Sequence, residues 1–396
     1  MDYHNRCTGF SRVLSLWLAL IFMMPAFTAC ASAVPSDEEA AALFRRRKTS
    51  GGMVLAAKDG EIVYRQCYGL ANKIGKEPVT PETCFKLASV SKLVTAAAVM
   101  KLVEDGRLDL DENIGHILGD PQYEAANPNY PKIGLTSRML MTHTATINDG
   151  TFSTSKITLT ERLNPKQNKK KSGFYQQKPG TYYKYSNYGA GIMGCILEAV
   201  TGKRLTDAAR ELLFDPMGIE AAYDPHLLQN PELIVSTYNT DGSSKTRSYR
   251  LTKEKYRETI NLEKDYAESY GGVWIRGEDL CRIGIMLCDM GAYDGKQILE
   301  EATVREMFSS QQGKGGITAE SPYALNVERV TNLVSGKMLY GHQGMANGVL
   351  CNLYFDPETH FVFALLTNGC NVNAKTDHIC NLALDLFRLM WNAYAD

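Results

Sequence analysis

Two stretches of the chain have the hydrophobic pattern of paired strands. Apolar residues at 53–57 and 62–64 flank Asp59-Gly60, a dipeptide that favours a tight two-residue turn, and they predict a β-hairpin. A second hairpin is predicted over residues 349–368, with its turn at Asp356-Pro357. Because the two hairpins lie near opposite ends of the chain, they predict one antiparallel sheet to which both termini contribute.

Long apolar runs predict buried helices next to these strands. Residues 93–103 are followed by Glu104-Asp105-Gly106, where glycine stands just past the expected helix end. Residues 190–200 form a second run, closed by Thr201-Gly202. A further helix is predicted over about 375–393, after the second hairpin.

The predicted fold class is α+β. It combines an antiparallel sheet, built from both termini and flanked by helices, with a mostly helical second lobe and a cleft for an active site between them. The sheet lobe is predicted over about 40–106 and 306–396, and the helical lobe over about 107–305. Polar stretches at 148–180 and 220–265 are expected to line the cleft, because loops often carry binding residues.

Composition is that of an ordinary globular protein. The chain has 396 residues, of which 44% are hydrophobic and 22% charged, enough for one large domain or two closely joined ones. Its formal net charge of −1 gives no electrostatic basis for binding nucleic acid. We therefore predict no nucleic-acid partner.

Residues 1–33 have the composition of a secretory signal peptide. Two arginines precede the apolar run 13–22, and the segment ends in Ala31-Ser32-Ala33. The apolar run is too short to span a bilayer as a helix. Cleavage at this point would release residues 34–396 as an exported protein, either periplasmic or secreted.

The same segment also allows a lipid anchor. Phe27-Thr28-Ala29-Cys30 resembles a bacterial lipobox, in which the leader ends at residue 29 and the cysteine carries the lipid. In that case the protein would be attached to a membrane through Cys30. Both outcomes stay open, and both place the protein outside the cytoplasm.

The cysteines give no disulfide framework or metal site. Removing the leader leaves eight of the ten, scattered along the chain. Cys281 and Cys288 are seven residues apart on one predicted helix, too far along its axis to bridge. We predict mostly unpaired cysteines, and no metal or cofactor, because no cysteine or histidine cluster has zinc spacing.

The tetrapeptide Ser89-Val90-Ser91-Lys92 stands at the start of the first predicted helix. Residues three apart share one helix face, so the Lys92 amine can reach the Ser89 hydroxyl. Burial and the positive helix N-terminus should lower the pKa of Lys92 and leave it neutral. A neutral lysine could then take the serine proton and make the hydroxyl a nucleophile. An ordinary serine-capped helix start is the alternative.

Two more motifs stand at element boundaries. Tyr185-Ser186-Asn187 precedes the helix over 190–200, where a tyrosine can pass a proton and an asparagine can bind a substrate amide. His342-Gln343-Gly344 directly precedes the second hairpin.

Each of two motifs has a second copy in a less suitable place. Ser153-Thr154-Ser155-Lys156 leads into the lysine-rich stretch 166–171, which indicates a solvated loop, and we interpret it as a decoy. Lys314-Gly315-Gly316 fits a K-x-G pattern but has no strand immediately after it, so we rank it below His342.

The three motifs in this order resemble those of the serine penicillin-recognising enzymes: class C β-lactamases, DD-carboxypeptidases and their esterase and aminopeptidase relatives. The resemblance extends over roughly residues 40 to 395. The histidine of the third motif is more similar to the H-x-G of a DD-carboxypeptidase than to the K-T-G of a β-lactamase.

The resemblance implies a role for each motif residue. Ser89 would be the acylated nucleophile, and Lys92 and Tyr185 would share the base work, with the first base left open. Asn187, His342 and Gly344 would bind substrate. The amides of Ser89 and Met345 would form the oxyanion hole. His143 also fits the family, and we interpret it as structural, closing a helix end.

A histidine at position 342 changes the expected chemistry. Near neutral pH its usual pKa leaves it only partly charged, whereas the lysine of the β-lactamases is a permanent cation for the β-lactam carboxylate. We therefore expect poor β-lactam turnover.

The predicted function is an exported serine hydrolase that acts on small peptides of D-amino acids, in the manner of a DD-carboxypeptidase. An esterase, amidase or acyltransferase of the same fold, acting on another small acyl compound, is the alternative. A true β-lactamase and a non-catalytic penicillin-binding sensor are ranked lower, since a sensor has no need of Lys92 and Tyr185 together with Ser89. The partner is a peptide or another small molecule.

Overall fold

A seven-stranded antiparallel sheet forms the centre of the fold. The computed structural model describes residues 37–119, 124–152, 158–239, 260, 262, 268–346, 348–373 and 375–395. The predicted leader 1–33 with Cys30, and the tetrapeptide at Ser153, lie outside the described residues. So does most of the polar stretch from 240 to 265.

The described strands are β1 Gly51–Lys58, β2 Glu61–Asn72, β3 Glu77–Pro78, β4 Cys84–Lys86, β5 Ala221–Ala222, β6 Trp274–Arg276, β7 Ala292–Tyr293, β8 Lys296–Gln297, β9 Glu328–Val330, β10 Leu339–Ala346, β11 Val349–Asp356, β12 Phe361–Thr367, β13 Lys375–Thr376 and β14 Ile379–Cys380. In the main sheet the strands lie in the order β3-β2-β1-β12-β11-β10-β9.

The two ends of the chain meet in the middle of this sheet. Strand β1 pairs with β12 over seven residues, from Gly52 opposite Thr367 to Lys58 opposite Phe361. Both predicted hairpins are present, β1–β2 turning at Asp59-Gly60 and β11–β12 turning after Asp356. The predicted α+β class, with an antiparallel sheet built from both termini, is confirmed.

Helices cover the sheet and form most of the segment between β4 and β9. The described α-helices are α1 Asp37–Arg46, α2 Ser91–Glu104, α3 Ile114–Ile117, α4 Ser137–Met141, α5 Asp149–Phe152, α6 Leu159–Leu163, α7 Asn187–Thr201, α8 Leu205–Ala209, α9 Asp215–Met217, α10 Gly277–Cys288, α11 Glu301–Phe308 and α12 Asn381–Tyr394. None of the described helices is long and apolar enough to cross a membrane.

The two faces of the sheet bury different sets of side chains because strand residues alternate between faces. Met53 and Leu55 of β1 join a large core that also contains α2, α7 and α10. Val54 and Ala56, their neighbours on the same strand, face a second core formed with α1 and α12. The sheet is therefore covered on both sides, and β1, β11 and β12 are nearly continuous apolar runs.

The C-terminal helix begins later than the sequence pattern indicates. A helix was expected from about residue 375, whereas α12 starts at Asn381. Residues 375–380 instead form the small hairpin β13–β14, in which Lys375 pairs with Cys380. Asp377 and His378 have positive φ angles of 45° and 61°, the left-handed geometry of a tight turn, which a helix cannot include.

Phe387→Ala should destabilise the fold by about 3–5 kcal/mol, because it opens a cavity between α12 and the sheet. Phe387 is 1% exposed and packs edge-on against Phe361 and Phe363 of β12. Urea unfolding followed by circular dichroism measures the change.

Ile74→Ala is the control, since Ile74 is 79% exposed and its loss should change the unfolding free energy by less than about 0.5 kcal/mol. Equal urea unfolding midpoints for Phe387→Ala and Ile74→Ala would contradict the packing of α12 on the sheet.

Candidate active site

Ser89 lies on a strained turn that enters helix α2. Residues Ala88–Val90 form a single 3₁₀ turn directly before the helix. Ala88 has a φ of 47°, a conformation that costs energy for any residue with a Cβ. The turn is tied on one side by a hydrogen bond from the Leu87 amide to the Val273 carbonyl, 2.8 Å long. Ser89 itself remains partly exposed at the end of an otherwise buried helix.

Lys92 is buried in the first turn of α2 and reaches three oxygen atoms. Its Nζ lies 3.0 Å from Ser89 Oγ, 2.9 Å from Asn187 Oδ1 and 2.9 Å from the carbonyl oxygen of Tyr270. The side chain is 1% exposed. The predicted contact between Ser89 and Lys92 is therefore present, and two further segments of the chain converge on the same amine.

Burial sets the protonation state of this lysine. Loss of water around the amine lowers the pKa of Lys92 to about 7, although the charge of Asp149 acts in the opposite direction. A neutral amine has two N–H donors and one lone pair. The two carbonyl-type acceptors, Asn187 Oδ1 and Tyr270 O, accept the N–H groups. In the neutral form of the amine, the lone pair is then available to the hydroxyl of Ser89, 3.0 Å away.

Tyr185 lies next to this pair. Lys92 Nζ is 5.1 Å from the centre of the Tyr185 ring. Burial raises the pKa of Tyr185 well above its usual value, while a hydrogen bond with Ser89 partly opposes that shift. The phenol therefore keeps its proton at neutral pH, which suits a group that donates a proton rather than one that starts as a base.

Asp149 fixes the N-terminus of helix α7, where Asn187 is the first residue. Its carboxylate accepts hydrogen bonds from Asn187 N at 2.7 Å, Ser186 Oγ at 2.6 Å and Tyr188 N at 3.3 Å. Amide donors at a helix start favour a negative charge, so this contact stabilises the turn that carries Tyr185 and Asn187.

His143 supports Tyr185 from behind. Its amide closes the end of α4 by bonding to the Leu140 carbonyl, which is the structural position expected from the sequence. The ring adds a second contact, because Nδ1 accepts a hydrogen bond from Ser186 N at 3.2 Å and the ring centre is 4.3 Å from that of Tyr185. Burial and the charge of Lys92 lower the pKa of His143, which keeps it neutral.

Gly344 lets strand β10 approach the Ser89 turn closely. A Cβ at this position would lie 2.3 Å from the Leu87 carbonyl oxygen and 3.0 Å from the Ser89 amide nitrogen. Met345, the next residue, lines the same cleft as Ser89. The strand therefore runs beside the serine, and the oxyanion hole of the Ser89 and Met345 amides stays a prediction.

His342 does not carry the charge expected from the sequence. It is 1% exposed, and burial together with the charge of Lys92 lowers the pKa of His342 to about 4. Nδ1 contacts the Gln343 carbonyl oxygen at 2.7 Å. The histidine is therefore neutral near pH 7, and the expectation of a partly charged side chain for a substrate carboxylate is wrong.

A cleft of about 430 Å³ opens in front of Ser89. Its walls include both hydrophobic and charged side chains. They are Lys86, Ala88, Ser89, Asn187, Tyr223, Glu268, Tyr270, Gly271, Gly272, Met345 and Ala346. Tyr223 comes from a stretch that was expected to line the cleft.

Some residues of the site were missed in the sequence, and Lys314 of the K-x-G motif makes contacts of its own. Tyr270 contributes a backbone carbonyl, which any residue type could supply. Asp149 lies in a polar stretch expected to line the cleft, but no motif singled it out. Lys314 forms an ion pair with Glu306 and a hydrogen bond with Ser309.

The described residues contain no cluster of side chains that could bind a metal ion. No group of three or more histidine, cysteine, aspartate or glutamate side chains in the described ranges could hold an ion. The described polar groups around Ser89 are the amine of Lys92, the amide of Asn187 and the phenol of Tyr185.

A family model described as Beta-lactamase matches residues 37–379 of the chain. Among curated proteins, penicillin-binding protein 4 of Amycolatopsis lactamdurans is 27% identical over 332 residues, covering 83% of each chain. Esterase EstB of Burkholderia gladioli is 29% identical over 44% of this chain. A D-aminopeptidase of Brucella anthropi is 25% identical over 77% of it.

The chain spans about half the length of two of these relatives, 47% of EstB and 53% of the D-aminopeptidase. Among solved structures, D-amino acid amidase from Ochrobactrum anthropi SV3, complexed with L-phenylalanine, has the same fold with a TM-score of 0.66 at 21% identity. That similarity covers 90% of this chain and 97% of the amidase.

Gly344→Ala should slow the reaction of the protein with a fluorophosphonate by about 100-fold or more, since small displacements of reacting groups have effects of that size. The added methyl group cannot fit against the Ser89 turn, so strand β10 must move away from it. Labelling rates followed by intact mass measure the effect.

Gly271→Ala is a matched control from the same cleft. A Cβ there would meet the backbone of Ala88 only at an ordinary contact distance of 3.8 Å. This variant should label at nearly the wild-type rate. Equal labelling of both variants would contradict the close approach at Gly344.

Proposed function

The chain belongs to the Beta-lactamase family, and from that premise we propose that it is an exported serine hydrolase that forms an acyl-enzyme on Ser89. Its substrates are small peptides and amides of D-amino acids, such as occur in cell walls. Export rests on the predicted leader 1–33 alone, with lipid attachment at Cys30 as the second outcome of the same segment.

One observation carries the mechanism: the amine nitrogen of the buried Lys92 lies 3.0 Å from Ser89 Oγ, and burial lowers the pKa of Lys92 to about 7. Because Asn187 Oδ1 and Tyr270 O accept both N–H groups, the amine cannot turn its lone pair elsewhere without losing a hydrogen bond. Lys92 is therefore our choice for the first base. Tyr185, whose pKa is raised, is our choice for the proton donor.

The steps of the reaction follow from these positions. Lys92 takes the hydroxyl proton as Ser89 Oγ bonds to the substrate carbonyl carbon, and the carbonyl oxygen gains the negative charge. The amides of Ser89 and Met345 stabilise that charge. Tyr185 gives its proton to the leaving amine or alcohol and recovers one from Lys92. Water then attacks the acyl carbonyl carbon while Lys92, neutral again, takes its proton. The bond from that carbon to Ser89 Oγ breaks, Ser89 regains a proton from Lys92, and the acid product leaves.

The cleft walls support a short charged substrate. Lys86 and Glu268 line the same cleft and have opposite charges, so they suit the carboxylate and ammonium groups of a small peptide. Glu268 also lies 3.4 Å from Arg204, which holds its carboxylate in place. The similarity to a D-aminopeptidase supports the same substrate class.

A second candidate function is hydrolysis of uncharged esters or amides. The observation in its favour is the neutral His342, which provides no cation for a substrate carboxylate on the side of strand β10. The similarity to esterase EstB agrees with this alternative. The same neutral histidine is unfavourable for β-lactam turnover, so we rank a β-lactamase activity lower.

A panel of substrates separates these functions. D-alanyl-D-alanine peptides, D-amino acid amides, p-nitrophenyl esters and nitrocefin are each incubated with the wild-type protein. We expect cleavage of the D-peptides or D-amides at higher kcat/KM than of the esters, and little nitrocefin turnover.

Ser89→Ala is the control for the panel and should lose every activity, because no acyl-enzyme can form. A higher kcat/KM for the esters than for the D-peptides and D-amides would favour the second candidate function, hydrolysis of uncharged esters or amides. Nitrocefin turnover at rates typical of β-lactamases would overturn the proposed substrate class, and labelling that persists in Ser89→Ala would overturn the proposed nucleophile.

The rate of acylation should rise with pH and level off above about pH 8, because Lys92 must be neutral and its pKa is about 7. The rate at pH 5 should be about 100-fold below the plateau, since two pH units leave about one percent of the amine neutral. Stopped-flow measurement of acylation by a chromogenic ester, from about pH 5 to about pH 10, gives the dependence of the rate on pH.

Lys92→Ala should slow acylation by about 10²–10⁴-fold, the usual contribution of a general base, and should remove this inflection. A wild-type rate that keeps rising to the usual lysine pKa would contradict a neutral Lys92. An inflection that persists in Lys92→Ala would assign it to another group.

A further inference from the structure

Cys370 and Cys380 lie together behind the strand that carries His342 and Gly344. Both are free thiols and 1% exposed. We propose that these two cysteines form a disulfide bond in the exported protein, and that this bond holds the β13–β14 hairpin against strand β10. It would be an exception to the mostly unpaired cysteines predicted from the sequence.

The backbone brings the two thiols into contact from opposite ends of a short segment. Cys370 follows strand β12, and its amide donates to the Gly348 carbonyl at 2.7 Å. Cys380 ends β14 and is the N-cap residue of helix α12. Its Sγ lies 3.8 Å from the carbonyl oxygen of Asn371, the residue next to Cys370, and the two side chains are near enough for each to shift the pKa of the other.

The surroundings of Cys380 favour its thiolate. The neighbouring Cys370 lowers the pKa of Cys380, and the N-terminus of α12 acts in the same direction, whereas the pKa of Cys370 is raised. The pair therefore has the division of roles that thiol–disulfide exchange needs, one attacking thiolate and one thiol that completes the bond.

The oxidant is a disulfide, either of a small thiol such as glutathione or of a dithiol oxidoreductase. The Cys380 thiolate attacks it, forms a mixed disulfide and releases one thiol. Cys370 then loses its proton, attacks the Cys380 sulfur and releases the second thiol. The protein loses two hydrogen atoms, and the oxidant gains them. Because both sulfurs are buried in the closed fold, the oxidant reaches Cys380 when the β13–β14 hairpin opens away from strand β10 while helix α12 stays folded.

Gln343 connects this pair to the active site. Its side chain accepts a hydrogen bond from Cys380 N at 2.8 Å and donates one to the His378 carbonyl at 2.9 Å. Gln343 is the middle residue of the third motif, between His342 and Gly344. A bond between Cys370 and Cys380 would therefore limit movement of the segment on which this part of β10 rests.

Peptide mapping tests the bond directly. The full chain is produced in an oxidising compartment, its remaining thiols are blocked, and it is digested with trypsin without reduction. Trypsin cleaves after Lys337, Lys375 and Arg388, so Cys370 and Cys380 fall on separate peptides, 338–375 and 376–388. We expect these two peptides to remain joined and to separate on reduction.

Two variants identify the cysteine, because peptide 338–375 also contains Cys351. Cys351→Ser should keep the linked peptides, whereas Cys370→Ser should lose them. Linkage that persists in Cys370→Ser would overturn the proposed pair. So would a folded wild-type protein in which both thiols can be blocked after equilibration with oxidised glutathione.

The second measurement concerns the hairpin. Reduction of the wild-type protein should lower its melting temperature by about 5 °C and slow its fluorophosphonate labelling several-fold. The Cys380→Ser variant should have the lower melting temperature and the slower labelling without any reductant, and adding the reductant should change neither. A linked protein whose melting temperature and labelling rate are unchanged by reduction would overturn the proposed effect on strand β10.

Discussion

The active site depends on keeping the amine of Lys92 out of water. A charged lysine at this depth would lose most of its hydration, so burial lowers its pKa and favours the neutral form. Three separate parts of the chain enclose it: helix α2, the start of α7 through Asn187, and the loop of Tyr270. A lysine with its usual pKa would stay protonated at neutral pH. Burial is therefore what makes the neutral form of Lys92 accessible.

The antiparallel sheet supplies the second wall of the site through one close contact. Strand β10 can lie against the Ser89 turn only because residue 344 has no side chain. The strained turn at Ala88 then presents the serine between this strand and the helix. Sheet and helices thus hold the nucleophile between them, and the aromatic rings of Tyr185 and His143 pack against the opposite side.

Features set by local chemistry were predictable from the sequence. The turn at Asp59-Gly60 and the spacing of Ser89 and Lys92 depend on residues close together in the chain, and the structure contains both. Features set by surroundings were not. The carbonyl of Tyr270 carries no signature of residue type, and the neutral state of His342 results from burial among groups distant in sequence. The late start of α12 depends on a turn at Asp377-His378 that hydrophobic periodicity does not reveal.

The pairing of β1 with β12 also determines when the site comes into existence. The serine and lysine are synthesised early, but the strand beside them and the strand that completes the sheet are among the last segments to be made. Such distant contacts close slowly, because a long loop must be ordered before any stabilising contact forms. A nascent or truncated chain therefore carries Ser89 without strand β10 beside it, and the cleft is complete only when the C-terminal segment has folded.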